Sequence, residues 1–212
     1  MTNPVITNID NGSVGRSHLI NSFELLTYGG VDTIAAGTLL GRVLVDAAIT
    51  PAADAGNTGN GTCTVASVTG VGTIPIPGSY NLECVSAVTN GGVFKLEDPQ
   101  GRLLTSQLTM TAGAGAATIF ETSGLIFTLT DGSTDFASGD IFLLPVVANN
   151  KMVPFATDGV RGAEIPVAVM SDSQTSTGAG DLPISPYISG TVTEERLIID
   201  AVGTPGSGIT AA

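Results

Sequence analysis

Oxygen-bearing side chains crowd the segment "DGSTDFASGD", where Asp131, Ser133, Asp135 and Asp140 lie close together. Hard cations such as calcium bind clustered oxygens, so the composition invites a metal reading. The spacing is not that of an EF-hand loop, and no glutamate closes it. Asp-Gly and Gly-Asp pairs are also ordinary turn residues. Turn chemistry is the plainer reading, and no metal is assigned. Cys63 in "GTCTVASV" and Cys84 in "YNLECVSAV" are the two cysteines. If those stretches are adjacent strands of a hairpin, one register sets the thiols face to face. A disulfide between Cys63 and Cys84 is then one alternative. Two small buried thiols are the other, which a reducing compartment favours. The single histidine, His18, has no partnered nucleophile near it in sequence and suits a solvated or interface position. Glu194 and Glu195 are adjacent, so they point to different faces, whereas acid–base work needs carboxylates in one cleft. "GVGTIPIPG" and "GAGA" lack the Lys-Ser/Thr pair of a phosphate loop. No cofactor and no catalytic residue is assigned, and the chain is not read as an enzyme.

Composition narrows the remaining classes. Of 212 residues, 42% are hydrophobic, 12% charged and 5% aromatic, with 28 glycines and 11 prolines. Low charge with much Gly, Thr, Val and Ala points to short strands and many turns, not to disorder. With no tryptophan, the core must be mostly aliphatic. Nineteen acidic residues oppose seven cations, for a net charge of −12. The cations (Arg16, Arg42, Lys95, Arg102, Lys151, Arg161 and Arg196) are scattered, so an extended nucleic-acid contact is not expected. The acidity suits solubility, avoidance of packaged DNA, or attraction to a basic partner surface. The longest apolar run, "IFLLPVVA", is strand length and holds a proline, so no membrane span is expected. "MTNPVITNIDNG" has neither the basic region nor the apolar core of a signal peptide, which suggests a protein that stays in the cytosol where it is made.

The elements that must position these residues read as strands. Residues 1–22 form a polar, aperiodic arm. "FELLTYGG" is a short helix or a strand, and "GTLLGRVLV" a strand entered through a turn. "TPAADAGNTGNGT" reads as a linker. From Gly61 to about Val147 come "TCTVASV", "YNLECVSAV", "VFKLED", "LLTSQLTM", "LIFTLT" and "IFLLPVV", parted by turns, with "TAGAGAAT" a flexible link. That is the pattern of a small β-sandwich. Period two puts Tyr80, Leu82 and Cys84 on one face, Phe94 and Leu96 on another, and either Leu125, Phe127 and Leu129 or the reverse set on a third. Then "KMVPFA", "EIPVAVM" and "YISGTV" read as strands, and "TEERLIID" carries a weak helix signal. Residues 23–50 and 148–212 are each too short to fold well alone. The economical arrangement is one β-domain split in sequence, with a second β-domain, 51–147, inserted at a loop.

The stretch "NKMVPFATDGVRGAEIPVAVMSDSQTST" resembles the C-terminal half of the head decoration proteins of tailed bacteriophages, the family of the lambda-type head protein D. The matching residues are Lys151, Met152, Val153, Phe155, Asp158, Gly159, Ile165, Val167, Ala168, Val169 and Asp172, followed by "SQTST". "YISGTV" is similar to the family's next strand, and "AAGTLLGRVL" to its early strand. The resemblance covers 31–50 and 148–203. The middle segment is similar to Ig-like modules of phage structural proteins and departs from the minimal family pattern. The resemblance implies an all-β chain: a small mixed-β decoration domain of the β-tulip type carrying an inserted Ig-like sandwich. It implies a homotrimer on the outside of the expanded capsid, at three-fold and quasi-three-fold positions, that cements capsomers against internal DNA pressure. The partner it implies is the major capsid protein, bound by an N-terminal arm that adds a strand to that protein's sheet. Val5, Ile6 and Ile9 suit the anchors of such an arm. The expected location is the virion surface after synthesis in the host cytoplasm, with no nucleic acid and no membrane as partner. Two alternatives stand beside it: a virion-displayed adhesion module reaching a host-surface glycan through the insert, and another virion part such as a tail subunit. The lack of tryptophan counts against an aromatic sugar platform.

Overall fold

The computed structural model describes residues 20–21, 24–28, 31–69, 73–110, 113–178, 180–189 and 197–198. Every regular element among them is a strand; the protein is all-β. The chain opens with β1 (Ile20–Asn21), β2 (Glu24–Tyr28), β3 (Val31–Ile34) and β4 (Leu39–Val45). Then come β5 (Ala52–Ala53), β6 (Thr62–Val68), β7 (Gly78–Val88), β8 (Gly91–Glu97), β9 (Leu103–Met110), β10 (Ala117–Thr122), β11 (Leu125–Thr130) and β12 (Ile141–Val146). It closes with β13 (Ala148–Pro154), β14 (Pro166–Val169), β15 (Gln174–Thr177), β16 (Gly180–Ile184) and β17 (Tyr187–Ser189). Two compact units result: residues 1–43 with 150–212, and residues 44–149.

The first unit is built from both parts of a divided chain. Its main sheet runs β1-β17-β14-β4-β13-β2-β16, and β15 pairs with β3 in a two-stranded sheet. The β13–β2 pair is parallel, while β2–β16 and β14–β4 are antiparallel. Leu26, Ile34, Leu40, Met152, Ala168, Met170 and Ile184 form its core. The stretch near the C-terminus closes it: the Ile198 carbonyl accepts the Leu39 N–H at 2.9 Å, and the Ile198 N–H reaches the Gly37 carbonyl at 3.0 Å. "FELLTYGG" therefore supplies a strand, not a helix, and "SQTST" and the residues after it supply β15 and β16. Thr193 to Arg196, the start of the weak helix signal, lie outside the described residues.

The second unit is a two-layer sandwich. One sheet runs β5-β12-β7-β8-β9 and the other β10-β11-β6. Alternation decides what each layer buries. Tyr80, Leu82 and Cys84 of β7, Phe94 and Leu96 of β8, and Phe142 and Leu144 of β12 face Leu125, Phe127 and Leu129 of β11 in one core. Phe136 meets Phe94 and Phe142 edge-on, with ring centroids 5.2 and 6.0 Å apart, an arrangement favoured by the ring quadrupoles. The segment read as a flexible link runs into β10, which pairs with β11 along its whole length. Ser123 and Gly124 join these two strands, both with positive φ (52° and 75°). That is the two-residue turn whose twist suits a hairpin, and it sets the register.

Candidate functional site

The acidic loop 131–140 is held by hydrogen bonds to the segment read as a linker. Asp140 is buried, and its carboxylate accepts the backbone N–H groups of Thr58 (2.7 Å), Gly59 (2.9 Å) and Ala137 (2.9 Å). Burial pushes this carboxyl up, and the three amides together outweigh it, so it titrates below the ordinary aspartate range. Asn57 acts as an extra peptide unit: its Nδ2 donates to the Ile141 carbonyl at 2.8 Å, and its Oδ1 accepts the Ile141 N–H at 2.7 Å. Asn60 grips the same loop one turn away, donating to Ser133 Oγ at 2.9 Å and accepting the Thr134 N–H at 2.8 Å. Asp135 Oδ1 accepts the Asn90 N–H at 2.9 Å. Of the residues that suggested a cation loop, Asp135 and Asp140 thus accept main-chain donors and Ser133 a side-chain amide. Among the described residues no three His, Cys, Asp or Glu side chains converge to hold a metal. Asn57 and Asn60 were not singled out from the sequence. Their signal is the Asn-x-Gly-Asn-Gly run opposite an Asp-rich loop, because asparagine substitutes for a peptide group where strands end.

Asp131 stands apart. It continues the inward row of Leu125, Phe127 and Leu129, it is 5% exposed, and neither carboxylate oxygen has a hydrogen-bond partner. Its own N–H donates to the Ala116 carbonyl at 2.9 Å.

The hairpin that would have joined the cysteines does not exist. β6 pairs with β11, setting Cys63 beside Leu129, while β7 pairs with β8, setting Cys84 beside Phe94. The two residues belong to opposite layers, and both thiols are free and buried. Burial pushes the Cys63 thiol up to about 12. The Cys84 thiol is also raised, by burial first and by the Asp140 charge next. Neither has the stabilised thiolate that metal binding or nucleophilic attack requires.

On the outer face of the larger sheet Lys95 lies between Glu83 (2.9 Å) and Glu97 (3.0 Å). The hydrogen bonds that Lys95 donates to both carboxylates raise its ammonium, and the one to Glu97 lowers that carboxyl. These groups are about a quarter exposed, so the cluster is a surface charge network. At the β8–β9 turn Asp98 Oδ1 accepts the N–H groups of Gln100 and Arg102, both at 2.9 Å.

In the first unit the stretch that carries the family resemblance is a strand, a compact turn and a strand. Lys151 on β13 forms an ion pair with Asp181 on β16 at 2.7 Å, and Met152 beside it is fully buried. Asp158 and Gly159 lie in a turn closed by the Gly159 N–H to the Ala156 carbonyl at 3.0 Å. The turn ends against β4. A Cβ on Gly41 would stand 2.3 Å from the Ala163 carbonyl oxygen, so only glycine allows this approach. Ile165 and Val167 emerge exposed, with Ile188 of β17 on the neighbouring strand, while Ala168 and Met170 turn inward. Val5, Ile6, Ile9 and His18 lie outside the described residues, as do Glu194 and Glu195.

No protein-family model and no curated protein matches the chain. Part of it is similar to a crystal structure of Xanthomonas campestris FlgL, with 21% identity over 54% of this chain and a TM-score of 0.34. The match spans 33% of the FlgL chain, and a likeness this slight carries no argument about function.

Proposed function

We propose that this chain is a structural virion protein that decorates the outside of an expanded phage capsid. In this reading it binds the major capsid protein as a homotrimer at three-fold and quasi-three-fold positions, and cements capsomers without catalysis. The observation that supports the reading is the position of β1 in the first unit. Residues 1–19 lead directly into β1, the outermost strand of the seven-stranded sheet. Pairing with a capsid strand requires an extended segment, and β1 gives such a segment a strand to continue from. Val5, Ile6 and Ile9 then supply the apolar anchors that fix register. Ordering the arm costs entropy, and many equivalent contacts on a closed shell offset it. The strand–turn–strand of β13 and β14 supports the same reading, because the resembling residues occupy the equivalent order of elements.

The test is binding of purified protein to expanded, undecorated capsids, with full-length chain compared against a form lacking residues 1–19. Saturable binding that is lost on truncation supports both the role and the anchor. Binding that survives truncation keeps the role and moves the contact to the folded unit. Absence of saturable binding by the full-length chain overturns the proposal.

A further inference from the structure

Strand edges are templates for another strand unless brevity, proline, charge or a bulge protects them. Most edges here have such protection. β1 and β5 hold two residues each. β16 carries Asp181 and Pro183. β9 meets β8 with two register shifts, and β6 meets β11 with one. β10 has only one of these devices, the single charge of Glu121 near its end. It is the outer strand of its three-stranded sheet, pairs with β11 over all 6 residues without a shift, and contains neither proline nor lysine. Its middle holds Ile119, 71% exposed, the most exposed large apolar side chain among the described residues.

We propose that β10 pairs with β10 of a second copy of this chain, antiparallel across a two-fold axis, joining two three-stranded sheets edge to edge. An isologous contact requires each residue pair to be reciprocal. The register centred on Ile119 meets this condition without conflict. It sets Ile119 against Ile119 and Ala117 against Glu121, all exposed and on one face, and leaves Phe120 in the core of each copy. Glu121 is the single charge of the strand. In this register the two Glu121 side chains stand roughly 14 Å apart at the rise of an antiparallel strand, beyond the ~10 Å screening length. The register centred on Phe120 would instead press Ile119 against Glu121. At net −12 two copies repel on average, so a self-contact must keep like charges apart, as this register does for Glu121.

The experiment is sedimentation velocity of the full-length chain over a broad concentration series, for the wild type and Ile119→Lys. The wild type is expected to form a species of twice the mass of its dilute form, and Ile119→Lys to lose it with an unchanged melting temperature. Cysteine variants test the register independently. Directly opposed residues of an antiparallel pair are about 4.5–5.5 Å apart at Cα, within disulfide reach. Ile119→Cys is expected to cross-link to itself under mild oxidation, and Ala117→Cys to Glu121→Cys in a mixture but neither alone. Ile165→Cys, an exposed residue of the other unit, is the control. An Ile119→Lys mass profile identical to wild type, or Ile119→Cys cross-linking no more than the control, overturns the proposal.

Discussion

Asp140 and Asp131 sit at opposite ends of one loop and carry opposite energetic signs. Asp140 completes three main-chain hydrogen bonds, so Asp140→Ala leaves three amides without an acceptor. It is expected to lower stability by about 2–4 kcal/mol in urea unfolding. Asp131 is buried without a partner, so Asp131→Asn, which keeps the shape and removes the charge, is expected to raise stability by about 1 kcal/mol in the same assay. The pH dependence follows from Asp140. Its folded carboxyl titrates below the unfolded one, so its contribution is complete above the ordinary aspartate value of about 4 and is lost as pH falls through the lower, folded value. The stability difference between wild type and Asp140→Asn should therefore be constant above pH ~4 and narrow as pH falls from there through the lower, folded value. The roles of these aspartates were not legible in the sequence. Four oxygens in one loop look alike on paper, and only the fold decides whether an amide, a cation or nothing faces each one.

Strands were legible where alternation is strong and hidden where it is not. β7, β8 and β11 alternate large apolar residues over most of their length, so their existence could be read directly, and with it the inner faces of β7 and β8, while β11 offered two faces. β10 was lost because Ile119 and Phe120 are neighbours that point to opposite sides, which breaks the period, and because small residues precede it. The Ser123-Gly124 pair ahead of "LIFTLT" was the available signal for a hairpin. β15 contains no apolar residue at all; it is a strand because β3 lies beside it, a long-range fact absent from its own composition. The cysteine hairpin failed for a related reason. Neighbouring strands in sequence cross here between layers, as they do in many sandwiches, so adjacency did not imply pairing. Gly41 is the point where the turn after β13 rests on β4. Gly41→Ala is expected to cost about 1–3 kcal/mol by forcing the Ala163 backbone away, read as a drop in melting temperature of the first unit with the second unit's transition unmoved.

The whole chain divides into two units, each with its own core, at 44 and 149. Composition marked the change near Thr50 and Ala148, where glycine, alanine and asparagine collect. The division itself falls inside β4 and β13, which carry no compositional break. Because its core draws on both of its own sheets, residues 44–149 expressed alone are expected to fold and to unfold in one cooperative urea transition; a chain that shows no transition would mean the other unit is required. β4 and β13, through which the chain leaves the first unit and returns, are neighbours in one sheet. The first unit therefore meets the same two chain ends whether a short turn or a whole sandwich lies between them. A lineage could gain, lose or exchange the inserted module in one genetic event between β4 and β13, and the same junction is the natural place to display a foreign domain.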